Sequence, residues 1–256
     1  MKHTFKSPGM SLFKTIGLVL TLGASMTACS QTTWKEEVLL HDGQKIIATR
    51  TVERGGKSEI GQQAPIKQQS LAFTLPVTNE KVVWEDKFSE DIGGASFLPM
   101  QLDVHKDSAY VVAYPMGCLS YNKWGRPNPP YVVFKYQSKV WQRVPLQELP
   151  AVLTALNLIF SSPDTEAKKS GKAIISAVAI KALNAGHTQP EHKAILREAF
   201  QGADAGCSEM IHTKDGWEGL GFFRHQSSYD TCLKYCERKG VSPNDCPCKK
   251  IFKGEK

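Results

Sequence analysis

Residues 38–49 read VLLHDGQKIIAT. Val38, Leu39 and Leu40 form one apolar stretch and Ile46, Ile47 and Ala48 another, with His41-Asp42-Gly43-Gln44 between them. Asp-Gly suits a tight turn that needs positive φ, so this segment predicts an antiparallel β-hairpin. The same grammar continues downstream. Residues 70–75 place Leu71, Phe73 and Leu75 at every second position, as a half-buried strand does. Residues 76–79 read as a turn and 82–84 as the next strand. Residues 98–105 and 109–114 flank a Lys106-Asp107-Ser108 turn. Residues 131–136 and 140–144 flank Ser138-Lys139. Residues 54–64 are polar and Gly-containing, and read as a loop. The hairpins recur without a fixed period, which argues against a propeller.

The pattern changes after residue 160. Ser162-Pro163-Asp164 has the composition of a helix start, with Ser as N-cap and Pro at the first helical position. Residues 173–185 are rich in Ala and Ile, and Gly186 suits the end of a helix. Pro190 is expected to open a second helix, carrying Ile195, Leu196, Ala199 and Phe200 on one face and ending at Gly202. The fold class expected is therefore α+β: an antiparallel, β-rich sheet or sandwich over residues 34–160, packed by a helical pair over 161–203. A small Cys-rich helical tail over 204–256 completes it.

The N-terminus carries a different message. Lys2, Lys6 and Lys14 precede the apolar run 16–22 without any acidic residue, and Met26-Thr27-Ala28-Cys29-Ser30 follows. The run is too short to span a bilayer, so residues 1–28 read as a cleaved export signal. Residues 26–29 resemble the lipobox of bacterial lipoproteins, in which the cysteine becomes the lipid-bearing N-terminus. The resemblance makes Cys29 the expected acylation site, followed by a short tether over 29–33. It implies anchoring in the envelope of a Gram-negative bacterium with the domain facing the periplasm. Ser30, rather than Asp, after the cysteine matches outer-membrane rather than inner-membrane lipoproteins. Plain secretory cleavage fits less well, because Met26 occupies a position where a small residue is wanted.

Removing three lysines and no acid from a chain of net charge +7 leaves the mature part at +4. That is mildly basic, and no nucleic-acid partner is expected. About 228 residues remain, enough for one large domain with its own core. Apart from Cys29, the cysteines are Cys118, Cys207, Cys232, Cys236, Cys246 and Cys248. An even number in an exported chain points to disulfides. Cys232 and Cys236 share one face of a helix expected over 228–239, about 5–6 Å apart at Cβ. A disulfide needs about 3.5–4.5 Å, so each should bond elsewhere. Six cysteines still allow 15 full pairings. The tail resembles small helical-hairpin disulfide modules. That resemblance implies the nested pairs Cys232–Cys248 and Cys236–Cys246, with Cys118–Cys207 as the third. Zinc ligation fits less well, because C-x3-C followed by C-x-C departs from the usual knuckle spacing.

Residues 116–131 read MGCLSYNKWGRPNPPY. Tyr121, Lys123, Trp124, Arg126 and Tyr131 stand here among glycines and prolines, a combination that suits a stiff recognition loop. Trp and Tyr also stack on sugar rings, so a protein or glycan partner in the periplasm is the expected ligand. The competing reading is packing, with Trp124 and Tyr131 plugging the end of the sheet. Against burial, Lys123 and Arg126 flank Trp124, and cations are seldom buried unpaired. This stretch and the Trp34-Lys35-Glu36-Glu37-Val38 opening resemble a family of uncharacterised proteobacterial lipoproteins of unknown function, which implies no activity.

No catalytic residue, metal-ligand set or cofactor is assigned. The chain lacks G-x-S-x-G, H-E-x-x-H and phosphate-loop motifs. The expected role is that of an envelope-anchored, non-catalytic binding or structural module. Two alternatives follow from the same residues. One is an immunity-type lipoprotein that neutralises an envelope-acting toxin. The other is a Cys-dependent hydrolase using Cys118 with His187, His192 or His212.

Overall fold

The computed structural model describes Met1 and residues 30–56 and 61–254. The expected export signal and Cys29 lie outside the described residues. Two four-stranded antiparallel meanders make up most of the molecule. The first contains β1 (Ser30–Leu39), β2 (Lys45–Arg54), β3 (Ile66–Thr74) and β4 (Lys81–Asp86), in that order. The second contains β5 (Phe97–His105), β6 (Ser108–Pro115), β7 (Val132–Gln137) and β8 (Val140–Val144), again in order. The β1–β2 turn is held by Leu40 N–H donating to the Gln44 carbonyl at 2.8 Å, and by Gln44 N–H donating to Asp42 Oδ1 at 2.9 Å. Gly43 supplies φ = 88°, which an L-residue adopts only at a cost. The residues expected to form a tether, 30–33, instead extend β1 and pair with 51–54 of β2. Backbone pairing on an already nucleated hairpin explains the extension: each added residue satisfies its own polar groups.

The two sheets differ in how they are covered. On β4 burial alternates strictly, so the first sheet has one dry face and one wet face. Val38, Ala48, Leu71, Phe73, Val82 and Trp84 on its dry face share a core with Leu102, Val104, Val111, Ala113 and Val132 of the second sheet. The second sheet is buried on both faces. Its far face, with Met100, Tyr110, Val112 and Val133, packs against Leu149, Leu153, Phe160 and Ile195 from the chain after β8.

Two helices do follow, α2 (Pro163–Ser170) and α3 (Ala177–Asn184), after the short α1 (Gly117–Lys123). They pack along β1, at the edge of the first sheet, and against buried residues of β1, β2 and β3. Ile175, between them, receives Glu37 N–H at 2.8 Å and donates to Lys35 O at 2.9 Å. Ile175, Ala167 and Ile180 cluster with Trp34, Val52, Ile66 and Ile159. Ser162 precedes α2 but adopts φ = 47° and makes no capping bond through its side chain. The helix expected from Pro190 does not form beyond a single turn, Pro190–His192. Tertiary bonds take its backbone instead. Ile195 N–H donates to Thr154 O at 2.9 Å, and Arg197 donates to the carbonyls of Leu146, Leu149, Pro150 and Leu153. Propensity yields when such contacts compete with it.

Glu36 and Arg50 form a buried ion pair on neighbouring strands at 3.1 Å. Trp34 Nε1 donates to Glu36 at 2.7 Å, Ile159 N–H donates to it at 3.1 Å, and Arg50 donates to Ile159 O. The pair thus ties β1 and β2 to the segment leading to α2. The tail holds the hairpin β9 (Met210–Thr213)–β10 (Gly216–Gly219) and three helices, α4 (Leu220–Arg224), α5 (Tyr229–Arg238) and α6 (Cys248–Lys253). Ser228 and Thr231 cap α5 reciprocally. Among the described residues no helix is long and apolar enough to cross a membrane.

Candidate functional site

The first half of the 116–131 segment is helix α1, not loop. It is pinned at both ends. Cys118 is disulfide-bonded to Cys207 with an S–S distance of 2.05 Å, and Asn122 accepts Met210 N–H at 2.9 Å while donating to Ser208 O at 3.0 Å. Tyr121 and Tyr131 are both buried. The Tyr131 hydroxyl donates to Glu191 O at 2.9 Å, and burial pushes that hydroxyl far above the ordinary tyrosine range. These two tyrosines pack the structure and offer no surface.

The expectation of an exposed Trp124 flanked by two cations needs correction. Trp124 is half-buried, with its ring centroid 4.6 Å from that of Phe97 and 6.1 Å from that of Phe134. The neighbouring cations do not follow it inward, because the chain fans them apart. Lys123 turns to Asp91 at 2.7 Å. Arg126 turns to the tail, donating to Cys207 O at 2.9 Å and Ser208 O at 3.1 Å, with its guanidinium 5.0 Å over the Tyr121 ring. The cation that does cover Trp124 comes from β8: Arg143 lies 5.4 Å over its ring and donates to its carbonyl at 2.9 Å.

Trp124 belongs to the wall of a cleft of about 590 Å³ between the edge strands β4 and β8. Trp84, Phe97 and Phe134 form the base, with Trp84 and Phe134 centroids 5.6 Å apart and Phe97 and Phe134 5.2 Å apart. Trp141 closes one side and donates its Nε1 to Val83 O across the two edges at 2.8 Å. Val83 and Phe88 remain 48% and 44% exposed at the mouth, where Lys123 and Arg143 supply positive charge. Asp86 sits at the back, taking amide donors from Ser96 at 3.0 Å and Phe97 at 2.8 Å. Burial pushes its carboxyl above the usual range, while those amides, Gln69 and Lys123 work against the rise. The cleft offers the half-buried rings of Trp124, Phe134 and Trp141 beside a rim that carries Lys87, Lys123, Arg143 and Glu85, a chemistry that can stack on sugar rings.

The residues from β8 were missed in the sequence. Trp141 and Arg143 stand two apart on a strand and so share a face. That period-2 spacing of an aromatic and a cation on an edge strand was the available signal.

The remaining cysteines form Cys232–Cys248 and Cys236–Cys246, nested between α5 and the segment that carries α6. Among the described residues the one group of three metal-type side chains close enough to share an ion is Cys232, Cys236 and Cys248, and all three sulfurs are in these bonds. Cys118 likewise carries no free thiol, which removes the nucleophile that the hydrolase alternative required. His187 and His192 lie tilted against Phe160, and His212 meets Trp217 edge-on.

No family model, no curated protein and no solved structure matches this chain.

Proposed function

We propose that the protein is an envelope lipoprotein, acylated at Cys29, whose domain binds a glycan ligand through the aromatic cleft without acting on it chemically. The cleft carries this reading. Three tryptophans and three phenylalanines line an open groove between two sheet edges, with Lys123 and Arg143 at its mouth. Aromatic faces stack on the apolar faces of sugar rings, and the two cations suit carboxylate-bearing substituents such as those of cell-wall muropeptides. The signal and lipobox resemblance supports placement in the envelope, at the outer membrane with the domain in the periplasm. There the cell wall is within reach of a short lipid-anchored chain.

The experiment is a titration of the mature domain with soluble muropeptides, followed by proton–nitrogen NMR of the tryptophan indoles. The indole signals of Trp124 and Trp141 are expected to shift in a saturable way, and Arg143→Ala is expected to weaken binding at least tenfold. Absence of any saturable shift with muropeptides rejects the glycan reading. Membrane fractionation of a Cys29 variant tests the anchoring separately.

A further inference from the structure

Two histidines meet at the β1–β2 turn, away from the aromatic cleft. His41 opens that turn and His105 ends β5. Behind His41 stands Asp103, only 2% exposed. Its Oδ2 accepts His41 N–H at 3.0 Å, and its Oδ1 lies 2.7 Å from His41 Nδ1 and accepts Val104 N–H at 2.8 Å. A carboxylate at that distance requires a proton on Nδ1. In the neutral ring the lone pair then resides on Nε2.

That Nε2 lies 3.4 Å from His105 Nδ1, with ring centroids 5.2 Å apart and planes tilted by 49°. The contact is at the outer limit of hydrogen-bond distance, beyond the range of about 2.7–3.2 Å for N–H···O bonds. It matches another geometry closely. Two nitrogens on a tetrahedral zinc, each at about 2.0–2.1 Å, stand about 3.4 Å from one another. Metal-bound histidines also characteristically donate their second ring N–H to a carboxylate, which fixes the ring and raises its basicity. Asp103 occupies that position behind His41. His105 is half-buried and the His41 side chain is 21% exposed, so the pair borders solvent from which an ion and its waters can arrive.

We infer that His41 Nε2 and His105 Nδ1 form a two-histidine binding site for a divalent transition metal of the zinc class, with Asp103 as the positioning residue behind His41. The site is independent of the aromatic cleft and of the glycan reading.

The test is a competition titration of the mature chain with zinc against a chromophoric chelator, paired with cobalt(II) absorption as a spectroscopic signature. One zinc per chain is expected. His105→Ala and His41→Ala should each weaken binding at least tenfold. His105→Ala should melt at the native temperature without metal but gain no stabilisation when zinc is added. Asp103→Asn should weaken zinc binding about 10–100-fold and alter the cobalt absorption bands, which a purely structural role would not do. His212→Ala serves as a control and should bind as the native chain does. Zinc binding unchanged in His105→Ala, or no stoichiometric binding by the native chain, overturns the inference.

Discussion

Asp164, at the start of α2, accepts Arg54 Nε at 2.8 Å and Nη2 at 2.7 Å, so the end of β2 is clamped to a helix 110 residues downstream. The bidentate geometry is the strong form of this pairing. The side chains are 13% and 1% exposed, which shields the pair from the screening that weakens surface ion pairs.

The clamp makes stability depend on pH in a defined direction. Burial works to raise the Asp164 carboxyl, but the hydrogen bonds and charge of Arg54 outweigh it and hold the group below its ordinary value of 3.8. A folded-state value below the unfolded one contributes stability above the unfolded pKa, and that stability is lost as pH falls through the folded pKa. Arg54→Gln should therefore cost about 3–5 kcal/mol at neutral pH. The gap to the native chain should shrink once pH falls below about 4. Urea denaturation at several pH values measures it, and a gap independent of pH would show that the stabilisation arises elsewhere.

Trp124 packs into the aromatic base of the cleft and under Arg143, yet it is only half-buried. Trp124→Ala should cost about 2–3 kcal/mol, less than a fully buried tryptophan. Phe88→Ala, at the exposed mouth, should stay within about 0.5 kcal/mol of the native chain. Thermal denaturation separates the two. An unchanged melting temperature in Trp124→Ala would mean that the ring contributes nothing to the core.

The disulfides enclose loops of very different length. Cys118–Cys207 spans 89 residues and Cys236–Cys246 spans 10. On the chain-entropy account the first is worth about 4–5 kcal/mol and the second about 3 kcal/mol. Replacing Cys118 and Cys207 with Ser should lower the stability of the whole molecule, since this bond joins α1 to the start of the tail. Replacing Cys236 and Cys246 should loosen only the small cluster around Phe223, Cys232 and Val241. Hydrogen exchange resolved by segment distinguishes these outcomes, and equal loss of protection everywhere in both variants would contradict them.

Cys29→Ser should block lipid labelling, leave the signal uncut and release the domain from normal membrane anchoring. Cell fractionation with labelled palmitate reads all three. A variant that still matures and stays in the membrane disproves acylation at Cys29.

Local chemistry was legible in the sequence and long-range partnership was not. Asp42-Gly43 specified the first turn, and alternation of Leu71, Phe73 and Leu75 specified a strand and its dry face. The 228–239 segment specified a helix with Cys232 and Cys236 on one side. Each of these signals acts over a few residues, through backbone φ or side-chain period, and so is written where it operates. The tertiary structure decided the rest. Residues 30–33 became strand because residues 51–54 lay beside them. Residues 193–200 lost their helix because Thr154 offered a carbonyl to Ile195 and the 146–153 segment surrounded Arg197. Trp124 turned inward because Asp91 and the 204–208 segment drew Lys123 and Arg126 away from it. The cleft itself needed Trp141 and Arg143 from an edge strand that only the folding of two sheets brings opposite β4. Such outcomes depend on groups tens of residues apart, whose desolvation and hydrogen bonding are settled only when the chain has closed around them.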